Sequence, residues 1–90
     1  MKVLMFYETA PDGLPKAREH FPAHRARLAA FHERGVLLMA GPYGNPPVAA
    51  LGIFTTREAA EEFVKDDPFV LHGVVARYYF QEWNEVLTGE

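Results

Sequence analysis

The stretch Gly35-Val36-Leu37-Leu38-Met39-Ala40-Gly41-Pro42-Tyr43-Gly44-Asn45-Pro46-Pro47-Val48-Ala49-Ala50-Leu51-Gly52-Ile53-Phe54 decides how the rest of the chain is read. Two apolar runs of strand length lie on either side of Pro42 to Pro47, where proline, glycine and asparagine favour a connection over any regular element. Val36 to Gly41 and Val48 to Phe54 are therefore expected to be strands paired as a hairpin. Upstream, residues from about Pro15 to Arg34 favour helix. Pro22 is expected to break that stretch into a short lead-in and a main helix from Pro22 to Arg34, because an interior proline removes a backbone donor. His24, Leu28 and Phe31 then fall at i, i+4 and i+7, one stripe that should face a sheet, and Gly35 suits the left-handed residue after the helix end.

Further out, Val3 to Tyr7 is a continuous apolar run closed by Thr9-Ala10-Pro11-Asp12-Gly13, and it reads as a buried first strand. Downstream, Thr55-Thr56-Arg57-Glu58 matches the capping-box spacing with Thr55 as cap, opening a second helix to about Lys65 with Ala59, Ala60 and Phe63 inside. Asp66-Asp67-Pro68-Phe69 ends that helix and begins one further turn. After Gly73, Val74 to Trp83 reads as a long last strand. The order β, α, β, β, α, β is that of a ferredoxin-like α+β sandwich, and nothing in residues 1–90 divides it into a second domain.

In such a sandwich the helices cover one sheet face, and the other should be polar at every second position if it meets water. Here both faces are apolar: Val3, Met5 and Tyr7 alternate with Leu4 and Phe6, Leu37 and Met39 with Leu38 and Ala40, and Val75 and Tyr79 with Val74, Tyr78 and Phe80. A second copy is the natural cover, so a homodimer through the sheet face is expected. The net charge of −3 and the lack of any basic tract argue against nucleic acid and anionic membrane as partners. The chain contains no cysteine, which excludes thiolate chemistry and is compatible with a reducing compartment. Its N-terminal apolar run is too short for a signal peptide or a membrane span, and the expected location is the cytoplasm.

His24 is the first candidate for chemistry, since an imidazole on a sheet-facing stripe is partly buried and can be held by a neighbour; the alternative is a hydrogen-bonded core residue. Asp67 is the second. It can cap the turn that Pro68 begins, and it can also orient His24 as a carboxylate does in histidine general-base sites. His20 and His24 have metal-ligand spacing with His72 downstream, but Pro22 between them and the want of a third ligand in register weigh against a metal. Gly41-Pro42-Tyr43-Gly44 lacks the lysine and following helix of a phosphate loop and reads as a turn. Arg18, Arg25, Arg27 and Arg34 read as a solvated helix face. Tyr7, Tyr78 and Tyr79 read first as core and second as pocket lining.

Taken together, Phe21-Pro22-Ala23-His24-Arg25-Ala26-Arg27-Leu28, Gly35 to Pro42, Glu58-Ala59-Ala60, Asp67-Pro68-Phe69 and Gly73-Val74 resemble the YciI-like (YCII-related) family across nearly the whole chain. The resemblance implies a dimeric α+β barrel of ferredoxin-like subunits, with an active site at the family's helix histidine and Asp-Pro aspartate, the positions of His24 and Asp67. Tyr7, Gly41, Pro42 and Phe69 are expected to line the substrate pocket around that pair. Proton-abstraction and elimination chemistry on ring compounds is suggested for the family, which implies no redox cofactor and leaves the reaction unassigned. Family members often carry arginine three residues before the histidine, where this chain has Phe21. That departure favours an apolar substrate over an anionic one, unless Arg18 or Arg25 approaches from another angle. Three readings follow: an isomerase or lyase using the His24–Asp67 pair on a small cyclic or aromatic compound, a non-catalytic ligand-binding or accessory subunit, or a dimeric interaction module whose histidine is structural.

Overall fold

The computed structural model describes residues 1–88. Seven elements follow one another: β1 Lys2–Thr9, α1 Gly13–Glu33, β2 Leu37–Tyr43, β3 Ala49–Phe54, α2 Arg57–Lys65, α3 Pro68–Leu71 and β4 Val75–Trp83. The strands form one sheet in the order β2-β3-β1-β4, every neighbouring pair antiparallel. This is the ferredoxin-like arrangement expected, with α3 as the additional turn. Among the described residues no helix is long and apolar enough to cross a membrane.

The period-2 pattern of β1 sends Val3, Met5 and Tyr7 to the helix side, where they meet Phe31 of α1 and Ala59, Ala60, Phe63 and Val64 of α2 in one buried cluster with Leu37 and Phe54. Phe63 lies at the centre, edge-on to Phe31 at 5.2 Å and 5.5 Å from Phe54 between ring centroids. The opposite face carries Leu4, Phe6, Leu51, Ile53, Met39, Tyr43, Tyr79 and Trp83 by register. There Phe6 and Tyr79 stack at 5.0 Å, while Met39, Tyr43 and Trp83 remain exposed. The expectation of an apolar outer face is met in its middle, while Lys2, Glu8, Arg77 and Gln81 fall on the same face by register.

Three local readings are corrected. α1 does not break at Pro22 but runs unbroken through it. Pro22 sits on the exposed side, and the helix is clamped to α3 on either side of it. Two residues before it, His20 stacks on His72 at 4.0 Å; two residues after, His24 stacks on Phe69 at 3.8 Å. These contacts hold the segments in line at the cost of one missing backbone hydrogen bond. α2 is capped by Thr56, whose hydroxyl accepts from the Ala59 amide at 3.1 Å, and not by Thr55. The Thr55 amide is already committed to the Val36 carbonyl at 3.0 Å, which keeps Thr55 with the sheet. β2 extends to Tyr43, so Gly41 and Pro42 are strand residues opposite Leu51 and Ala50 and not part of the turn. Proline is tolerated there because β2 is an edge strand and its outer side needs no donor.

Two glycines are required by geometry. Gly35 follows α1 at φ +81°, the left-handed residue expected there. Gly13 opens α1 against Val74, the residue just before β4, where a Cβ would lie 2.6 Å from the Val74 carbonyl oxygen.

Candidate active site

The site is built where three elements converge: the middle of α1, the start of α3 and the helix-side face of β1. α1 brings in His24, which is buried because it falls on the stripe shared with Phe31. α3 brings in Asp67. Its backbone is extended and its Oδ1 accepts from the Phe69 amide at 3.4 Å, so it is the N-cap of the turn that Pro68 begins. β1 contributes Tyr7, paired across the sheet with Ala50 and Tyr78.

Asp67 is wholly enclosed, at 0% exposure, and its carboxylate is surrounded by donors. His24 Nδ1 lies 2.7 Å from Oδ1, and the Tyr7 hydroxyl donates to Oδ2 at 2.6 Å. A buried carboxylate is tolerated only when paired and hydrogen-bonded, and this one has both a cationisable ring and a phenol. An ionised carboxylate only accepts, so Nδ1 is the atom that carries the ring proton and Nε2 keeps its lone pair when the imidazole is neutral. Nε2 has no hydrogen-bond partner among the described residues, nor is it a fully enclosed atom. It is therefore the edge of the ring open to the cleft that His24 lines. The ring plane is set by Phe69, parallel to within 5°, and by the edge of Phe63 at 6.3 Å. Burial pushes the Tyr7 phenol well above its ordinary value, and the charge and hydrogen bond of Asp67 add to the effect, so Tyr7 stays a neutral donor.

The cleft has a volume of about 270 Å³. Tyr7, Gly41, Pro42 and Phe69, expected at the pocket, all line it, as does His24; Asp67 lies behind His24 and does not reach its surface. Phe21, Arg25, Leu28, Ala40, Ala50, Leu51 and Met5 complete the walls. The sequence reading left out two features. Tyr7 is a hydrogen-bond partner of the aspartate besides a wall residue, and its inward register on β1 was the available signal. Arg27 and Arg34 are not a free solvated face: Arg27 donates to the Phe63 and Glu62 carbonyls at 3.0 and 2.8 Å, and Arg34 pairs with the Glu62 carboxylate at 3.1 Å. His20 and His24 do share a face of the unbroken α1, but they are engaged separately, with His72 and with Asp67. Among the described residues no group of three or more potential ligands could hold a metal ion.

A ferredoxin-like α+β domain with a buried histidine–aspartate–tyrosine set between its helices and its sheet describes the class. Over residues 1–84 the chain matches the YCII-related domain, and it belongs to that family. It is 35% identical over 85 residues to Protein YciI of Escherichia coli O6:H1, an alignment covering 82% of this chain and 87% of the relative, and equally to Protein YciI of Shigella flexneri. Among solved structures it resembles the 5-chloro-2-hydroxyhydroquinone dehydrochlorinase TftG of Burkholderia phenoliruptrix AC1100 in complex with 2,5-dihydroxybenzoquinone. The TM-score is 0.76 at 20% identity, over 93% of this chain and 94% of the other. At that identity the likeness speaks to the fold.

Proposed function

We propose that the protein is an enzyme of proton-transfer chemistry on small cyclic or aromatic compounds, with His24 as the base and Asp67 as the residue that positions it. The observation that carries the reading is the 2.7 Å contact between His24 Nδ1 and Asp67 Oδ1, with Nε2 left to an apolar cleft. A neutral Nε2 takes a proton from a carbon next to a carbonyl, or conjugated with one. The C–H electron pair moves toward the carbonyl oxygen, and the imidazolium so formed lies against the Asp67 carboxylate. The proton returned at a different carbon completes an isomerisation; expulsion of a leaving group as its anion completes an elimination. Kinship of fold with a dehydrochlorinase that binds a quinone supports a single-ring compound as the substrate class. A cleft of about 270 Å³ lies at the small end of ligand sites, which also suits a single ring.

We further propose that two copies pair through the open sheet face. Leu4, Phe6, Leu51 and Ile53 occupy its middle strands, with Met39 and Trp83 exposed at its margins, and an apolar face of this extent needs a cover.

The test of the enzyme reading is a screen of substituted hydroquinones and cyclic enones for solvent-deuterium exchange or halide release, with His24→Ala as control. Turnover reduced by at least roughly a hundredfold in the variant, with ligand affinity and fold retained, is the expected result. Binding in the wild type without exchange or release would instead assign a ligand-binding or accessory subunit.

A further inference from the structure

Beside the cleft in front of His24 lies a larger one, of about 550 Å³, between the second half of α1 and the edge strand β2. Arg25, Leu28 and Ala40 belong to the walls of both, so the Arg25 side chain borders the two clefts.

Its situation differs from that of the cations around it. Arg27 is committed to the last carbonyls of α2, Arg34 to the Glu62 carboxylate and Lys16 to Asp12. Arg25 makes no hydrogen bond or ion pair with any described residue, and no carboxylate lines the cleft of His24. The nearest acid on these surfaces is Glu33, which lines the larger cleft. Arg18, the other arginine without a partner among the described residues, lines neither. Phe21, one turn before Arg25 on α1, offers the cleft an exposed aromatic ring instead of a charge. The remaining walls are apolar apart from Tyr7, whose hydroxyl is already used by Asp67.

A ligand entering this cleft therefore meets apolar surface along its length, one imidazole nitrogen and one uncompensated guanidinium. A guanidinium presents a planar fork of donors that matches a carboxylate in two parallel hydrogen bonds. We propose that Arg25 is a specificity-determining residue and that the substrate class is a single-ring compound bearing one carboxylate. The carboxylate sits on Arg25, and the ring lies between Phe21, Leu28 and Phe69 with one edge toward Nε2 of His24. This rests on the reading of the His24 cleft as a ring-binding site. It also reverses the preference for an uncharged substrate that Phe21 suggests in the sequence.

The experiment uses benzoate and its neutral counterpart benzamide as probes, added to the full chain and followed by calorimetry and by the NMR signals of the His24 and Phe69 rings. The wild type is expected to bind benzoate at least about tenfold more tightly than benzamide, to shift both ring signals, and to lose that preference in high salt. Arg25→Gln removes the preference; Arg18→Gln, at a residue lining neither cleft, keeps it. Equal binding of the two probes in the wild type, or a preference that survives Arg25→Gln, overturns the role of Arg25 and leaves the ring-binding reading standing. If neither probe moves the His24 and Phe69 signals, the ring-binding reading is overturned and the role of Arg25 with it.

Discussion

His24 on α1 and Asp67 at the start of α3 are 43 positions apart in the chain, yet their side chains meet at 2.7 Å with no exposed surface on the aspartate. The contact joins the first half of the fold to the second. Asp67 also caps α3 and receives the Tyr7 hydroxyl, so one carboxylate ties together a helix, a turn and a strand. Replacing any member alters the surroundings of the other two.

Asp67→Asn tests the coupling directly. The amide has one acceptor in place of two and brings a donor of its own, so the proton on His24 Nδ1 loses its carboxylate partner. The expected outcome is a shift of the His24 ring from the Nδ1-protonated toward the Nε2-protonated tautomer in nitrogen-15 spectra. Stability should fall by about 1–3 kcal/mol. A ring spectrum that ignores the substitution, in a folded variant, contradicts the pairing.

Tyr7→Phe removes one donor from a carboxylate that water does not reach, and the expected cost near neutral pH is again about 1–3 kcal/mol. The pH dependence has a definite sign. The folded phenol ionises well above its ordinary value of 10.0, chiefly because it is buried. Up to that pH both folded and unfolded chains hold the proton, and the stabilisation is complete. Above it the unfolded chain releases the proton first, and stability falls by up to about 1.4 kcal/mol per pH unit. Denaturant unfolding of wild type and variant at rising pH should show their difference constant below pH 10 and shrinking above it. A gap that stays constant throughout would mean that Tyr7 titrates as if exposed.

The open sheet face sets the third expectation. Light scattering after gel filtration at micromolar concentration should give twice the chain mass of 10.2 kDa. Phe6→Glu, which places a charge beside Tyr79 in the middle of that face, should give the monomer mass or precipitate. A wild type that elutes as a monomer at this concentration rules out the proposed pairing.

Much of the architecture was legible in residue order. The apolar runs that include Val3 to Tyr7, Leu37 to Ala40 and Ala49 to Phe54 have strand length and strand composition. The stripe of His24, Leu28 and Phe31 has the helical period, and Gly35 and the Asp67-Pro68 pair mark their boundaries by stereochemistry that few other residues satisfy. Such features are local, so sequence alone carries them. The same locality misled at Pro22 and Thr55. An interior proline does disfavour a helix and Thr55 does match the capping spacing, but contacts from α3 and a hydrogen bond from the Thr55 amide to the Val36 carbonyl outweigh both preferences.

The sequence by itself determined the element order, the inward stripe that buries His24 and the turn that Asp67 begins. Only the tertiary structure decided that these two side chains meet, that Tyr7 completes the set and that Arg25, among the three arginines of α1, stands at the cleft without a partner. The physical reason is that periodicity and capping depend on neighbours within a turn or a strand, whereas hydrogen bonds across 43 and 60 positions exist only once the sheet register and the seat of α1 on α3 are set.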